Sequence, residues 1–148
     1  MDRRKFCILS AAVAAGLAAE TALPSAAIPL YKVIFDSRFA ASRAFAMAAV
    51  SAGRATAGIR GDVTALWVDD LRLRWARDGG AIAGMTTLRS LFCLEQLAKD
   101  HWMRVIVRAE HWRTGAAASA GRVRSIVGGI QPGLPVPADP RLVSWVLA

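Results

Sequence analysis

The chain reads as an α/β protein, a small, open, mostly parallel sheet with helices on both faces that ends in an irregular Pro/Gly-rich C-terminal segment. Three observations predict this. Short β-branched runs alternate with helical stretches, the pattern of strands whose crossovers return to the same end of a sheet. The chain has 148 residues, 55% of them hydrophobic, enough for one core and too few for two domains. Its two cysteines, Cys7 and Cys93, exclude a disulfide scaffold, a four-cysteine zinc site and a cysteine-ligated iron–sulfur cluster.

Taken in order from Ile28, residues 31–35 are a short apolar run that ends in Asp36-Ser37 and predicts a first strand. Residues 38–52 are Ala-rich and closed by Gly53, so a helix follows, with Asp36 or Ser37 as its cap and Phe39, Ala46 and Val50 on its inner side. After a turn punctuated by Gly53, Gly58 and Gly61, residues 63–68 read as a second strand ending in Asp69-Asp70. Residues 71–77 suit a short helix stopped by Gly79-Gly80. A third strand at 81–85 leads through Thr86 or Thr87, as cap, into a helix at 88–100, and 103–112 is the clearest strand. Beyond it, 114–121 reads as a loop and 122–127 as one more strand. Four prolines between Gln131 and Pro140 then forbid regular structure, and Asp139-Pro140 starts a terminal helix.

Ligands of open α/β sheets bind beyond the carboxyl ends of the strands. The residues expected on that rim are Asp36, Ser37, Asp69, Asp70, Thr86, Thr87, Glu110 and His111, a set able to hold a divalent metal or an anion. Asp, Ser and Thr are equally the ordinary helix caps, which explains three of the four positions without a ligand. On helix 88–100, projection places Glu95 on the apolar face with Lys99 one turn away, and Cys93 beside Arg89 and Gln96 on the polar one. A thiol next to an arginine is open to activation, whereas the ordinary role of a free cysteine is that of a small buried hydrophobe. Strand 103–112 turns Arg104, Arg108, Glu110 and Trp112 to one side, a candidate docking surface, since Trp and Arg are enriched at interface hot spots. The sequence contains no dinucleotide fingerprint, phosphate loop, haem-attachment site, zincin motif or nucleophile elbow.

Residues 1–27 have the layout of a signal peptide: a basic start, an apolar stretch of 13 residues from Cys7 to Ala19, and Ser25-Ala26-Ala27 before the composition changes. That stretch falls short of the roughly 20 residues a spanning helix needs. Arg3-Arg4 followed by Lys5-Phe6 resembles the twin-arginine (Tat) export signal, although Asp2 stands where Ser or Thr is usual and Glu20 is acidic. The resemblance implies export of a folded protein to the bacterial periplasm and a partner or cofactor acquired beforehand. The division expected is therefore a signal peptide at 1–27 and one α/β domain at 28–148.

The whole chain carries a formal charge of +8, and the part after residue 27 still carries +7, almost all through arginine. The arginines are scattered and no aromatic-rich nucleic-acid motif accompanies them, so the expected partner is a periplasmic protein or an anionic membrane surface and not nucleic acid. The function expected is that of an exported accessory or binding protein, an escort or subunit for a partner enzyme. The alternative is a small metal- or anion-binding enzyme working from the strand-end rim.

Overall fold

The computed structural model describes residues 28–111, 116–127 and 139–148, with the backbone alone for 116–118. The expected signal peptide, Trp112 and the proline-rich stretch before 139 lie outside the described residues. Eleven segments follow in order: β1 (Leu30–Asp36), α1 (Ala40–Ser51), β2 (Thr56–Ile59), α2 (Thr64–Leu66), a π-helical turn (Trp67–Leu71), α3 (Arg72–Arg77), β3 (Ala81–Thr87), α4 (Leu88–Lys99), β4 (Val105–Glu110), α5 (Ala116–Val127) and β5 (Leu142–Leu147). The strands form one sheet in the order β2-β1-β3-β5-β4.

The fold is α/β, and the sheet is mixed. β1 pairs in parallel with β2 and β3, while β5 pairs antiparallel with both β3 and β4. Strands β1 to β4 therefore all run one way, and β5 is inserted against them between β3 and β4. One core cluster joins Val33, Ala83 and Val146 of the sheet to Phe45 and Ala49 of α1 and to Val123 and Val127 of α5. The other joins Ile34, Ile82 and Trp145 to Leu71, Trp75 and to Leu91 and Leu94 of α4. Helices thus cover both faces.

Three expected elements differ, each for a physical reason. Residues 64–68 are helical, and the second strand is the 56–59 segment that the glycines had marked as a turn. β2 is a short edge strand whose Gly58 is required by packing, because a Cβ there would lie 2.9 Å from the Phe35 ring. Helical placement of 64–75 puts Val63, Trp67, Leu71 and Trp75 at intervals of four, and all four pack on one cluster. The π turn supplies the wider spacing that keeps them in line.

Residues 122–127 belong to α5, which also takes in 116–121 of the expected loop. The expected terminal helix is β5, all six of whose residues are buried. A short apolar run buried on both faces has no period that separates strand from helix.

Within α1 the inner face is also turned from the one expected. Ala41, Ser42, Phe45, Ala46 and Ala49 are buried, while Val50 is exposed. Ser42 sits inside because its hydroxyl donates to the Met85 carbonyl and accepts the Asp36 N–H at 2.8 Å, fastening α1 to β1 and β3. On α4 the buried line is Ser90, Leu91, Leu94 and Ala98, so Glu95 lies half-buried at its side and Lys99 donates to Gln96 at 2.8 Å. β4 carries a bulge between Val105 and Val107, which sends these two valines to opposite core clusters.

Candidate functional site: an arginine-lined cleft at the strand ends

β1 connects to β2 on one side and β3 lies on the other, so the chain changes direction between β1 and β3 and leaves a crevice beyond their carboxyl ends. A cleft of about 790 Å³ lies at this point, between the 60–67 segment and α4. It is lined by Arg38 after β1, by Arg60, Gly61, Asp62, Val63 and Trp67 after β2, and by Thr87, Arg89, Phe92, Cys93 and Leu97 at β3 and along α4.

The floor is ordered by Asp36. Its carboxylate is fully buried and accepts the Arg38 N–H at 3.1 Å, Nε at 3.0 Å and Nη2 at 2.7 Å. That carboxylate holds the arginine and does not cap α1, whose N-cap, Phe39, makes no side-chain cap bond. The Arg38 pKa is raised by its hydrogen bonds to the Asp36 carboxylate. Gly61, at φ +89°, makes room for the guanidinium, since a Cβ there would lie 2.3 Å from Arg38 Nη2.

The walls are joined by hydroxyls. Thr87 caps α4, its Oγ1 accepting the Ser90 N–H at 3.4 Å. Ser90 donates to the Gly61 carbonyl at 3.0 Å, tying the start of α4 to the loop after β2. Asp62 turns back on its own loop, accepting the Thr64 N–H at 2.8 Å and hydroxyl at 2.6 Å, and these bonds lower its pKa. Arg60 and Arg89 are exposed and form no ion pair or hydrogen bond among the described residues. Cys93 is a free, exposed thiol in the same cleft and not a buried hydrophobe.

The residues expected on the rim divide into three groups. Asp36, Ser37, Thr86 and Thr87 meet at the adjacent ends of β1 and β3. Ser37 donates to the Ile59 carbonyl at 3.0 Å, and Thr86 is fully buried, donating to the Thr87 carbonyl at 3.2 Å and accepting Trp145 Nε1 at 3.0 Å. Both hydroxyls are thus taken up by the fold. Glu110 and His111 end β4, and β5 stands between them and β3, so the sheet keeps them about 10 Å from Thr86. Arg108 pairs with Glu110 at 3.2 Å, and Arg104 lies at the far end of β4, its backbone bonded to Ala148.

Asp69 and Asp70 are not on the rim, because the expected second strand is helical. Asp70 instead binds Lys32 and the Tyr31 hydroxyl near the start of β1, at the opposite end of the strands. Burial is the largest influence and disfavours both the Asp70 and Lys32 charges, but their mutual hydrogen bond, their charge attraction and the contribution of Tyr31 together outweigh it, lowering the Asp70 pKa and raising that of Lys32. The rim acids therefore do not converge, and among the described residues no three His, Cys, Asp or Glu side chains are grouped as metal ligands would be.

Sequence reasoning missed Arg38, Arg60, Gly61 and Phe92, and took Arg89 only as a neighbour of Cys93. Arg38 stands in an Asp-x-Arg spacing with Asp36, but Asp70-Leu71-Arg72 has the same spacing and Asp70 binds Lys32 and Tyr31 instead, so the spacing alone marked no site. Arg60 had no signal until β2 was placed.

Comparison with protein-family models, characterised proteins and solved structures finds no match for this chain.

Proposed function

We propose that the chain is an exported periplasmic binding protein whose ligand is a small anion seated in the cleft beyond β1 and β3. The observation that carries this reading is the pair Arg60 and Arg89, exposed on opposite walls of one cleft and without a protein partner among the described residues. Guanidinium groups present fixed donor forks suited to carboxylate and phosphate. In the enzymatic alternative the anion site is the same, while Asp36 is engaged by Arg38 and Asp70 by Lys32 at the opposite end of the strands.

Export rests on the twin-arginine-like segment, and none of the described helices is long and apolar enough to cross a membrane. An accessory role beside a periplasmic protein partner belongs to the same reading, supported by the export of folded cargo that the segment implies.

The test has two parts. Expression of the full-length chain gives a periplasmic product starting near Ile28, and R3K/R4K keeps it in the cytoplasm; an unprocessed cytoplasmic product from the unaltered chain overturns export. Calorimetric titration with acetate, octanoate and inorganic phosphate at low ionic strength gives binding that falls at least tenfold in R60A/R89A. If none of these anions binds in an arginine-dependent way, the anion reading fails.

A further inference from the structure

We infer that the ligand of this cleft is an anionic amphiphile, a carboxylate carrying an apolar body. This inference rests on the anion-binding reading and adds the ligand's charge and shape.

The charge follows from the count of fixed groups. Three guanidinium groups face the cleft, those of Arg38, Arg60 and Arg89, against the carboxylates of Asp36 beneath Arg38 and of Asp62 on the loop. One positive charge is left over. Arg60 and Arg89, without a protein partner among the described residues, are the groups that meet an anionic head, and the Asp62 carboxylate on the same loop disfavours a head of high negative charge. A polyphosphate is therefore a poor fit.

The apolar body follows from the walls. Val63 and Trp67 on one side face Phe92 and Leu97 of α4 on the other, and 58% of the Phe92 surface is exposed. Phe92 lies one turn along α4 from Arg89, so a chain whose head meets Arg89 continues along the helix over the ring. An inorganic anion would leave that wall wet. Sites for organic ligands have this composition, mostly apolar with a few placed polar groups.

The experiment uses the protein as expressed from the full-length chain and compares butyrate, hexanoate, octanoate, inorganic phosphate, pyrophosphate and 1-octanol. Affinity should rise about threefold to fourfold per methylene along the carboxylates. Octanoate should bind at least tenfold more tightly than either phosphate or octanol. F92A should flatten the dependence on chain length, and because Phe92 is exposed its removal leaves the core in place.

Phosphate or pyrophosphate binding as tightly as octanoate, with loss in R60A/R89A, would overturn the amphiphile and leave the anion site standing. Octanol binding as tightly as octanoate overturns the amphiphilic carboxylate, and no arginine-dependent binding by any anion overturns both readings. A dependence on chain length that survives F92A unchanged overturns the assignment of the apolar wall.

Discussion

Asp36 holds Arg38 by three hydrogen bonds, from the backbone N–H and Nε to one carboxylate oxygen and from Nη2 to the other. Asp139 holds Arg141 by the same three, at 3.0, 2.9 and 2.6 Å. The two guanidinium groups lie 5.4 and 4.7 Å from the centre of the Phe39 ring. The chain thus uses one local device twice at the same end of the sheet. The inner copy is buried at the carboxylate, and the outer copy is exposed, its Asp139 carboxyl lowered to about 2 by the bonds from Arg141.

The burial of Asp36 sets the first prediction. In R38A the carboxylate keeps its place away from water and loses its cation, and the chain should lose about 1–3 kcal/mol of stability by urea unfolding. D36N/R38A should recover most of that loss, because the amide does not carry the buried charge. A double variant no more stable than R38A would show that the pair contributes through packing alone.

Gly61 should tolerate no side chain. G61A combines a left-handed backbone with a Cβ inside the Arg38 guanidinium, and about 1–2 kcal/mol of destabilisation is expected. The same variant should weaken octanoate binding severalfold by displacing Arg38. By contrast G53A, also at positive φ but with open space around its Cβ, should cost stability and leave binding unchanged.

Trp145 donates its indole N–H to Thr86 at 3.0 Å between two fully buried side chains. T86V keeps the shape and removes the acceptor, so about 1–3 kcal/mol should be lost in thermal or urea unfolding. T86S should restore most of it. Equal stability of T86V and the unaltered chain would mean that the indole finds another acceptor.

His111 gives the pH dependence. Burial, and then the positive charge of Arg124, lower its pKa below the ordinary 6.5, so the folded chain favours the neutral ring. Between the folded and unfolded values the unfolded chain binds the extra proton. Stability from this group is therefore complete above pH 6.5 and declines as the pH falls through the folded pKa. H111Q should flatten the acid side of the stability profile in that window while leaving the profile above pH 7 unchanged.

How far the sequence could be read depended on whether one element settled its own shape. β1, α1, β3, α4 and β4 were legible because each carries its own period and a stop, such as Gly53 after α1 or the Thr87 cap before α4. Residues 56–59 were not, because the strand is four residues long and its Gly58 answers to Phe35 across the sheet. The helical state of 64–77 needed the core cluster that takes Val63, Trp67, Leu71 and Trp75 together.

The sequence by itself determined the α/β class, one domain's worth of core, the basic arginine-rich surface and the general end of the sheet where Asp36 and Thr87 lie. These depend on composition, local periodicity and capping, which neighbours along the chain decide. Only the tertiary structure decided that β5 enters between β3 and β4, that Asp70 pairs with Lys32 at the start of β1, and that Arg38, Arg60 and Arg89 share a cleft. Those three arginines come from different connections of the sheet, and strand order alone brings them together.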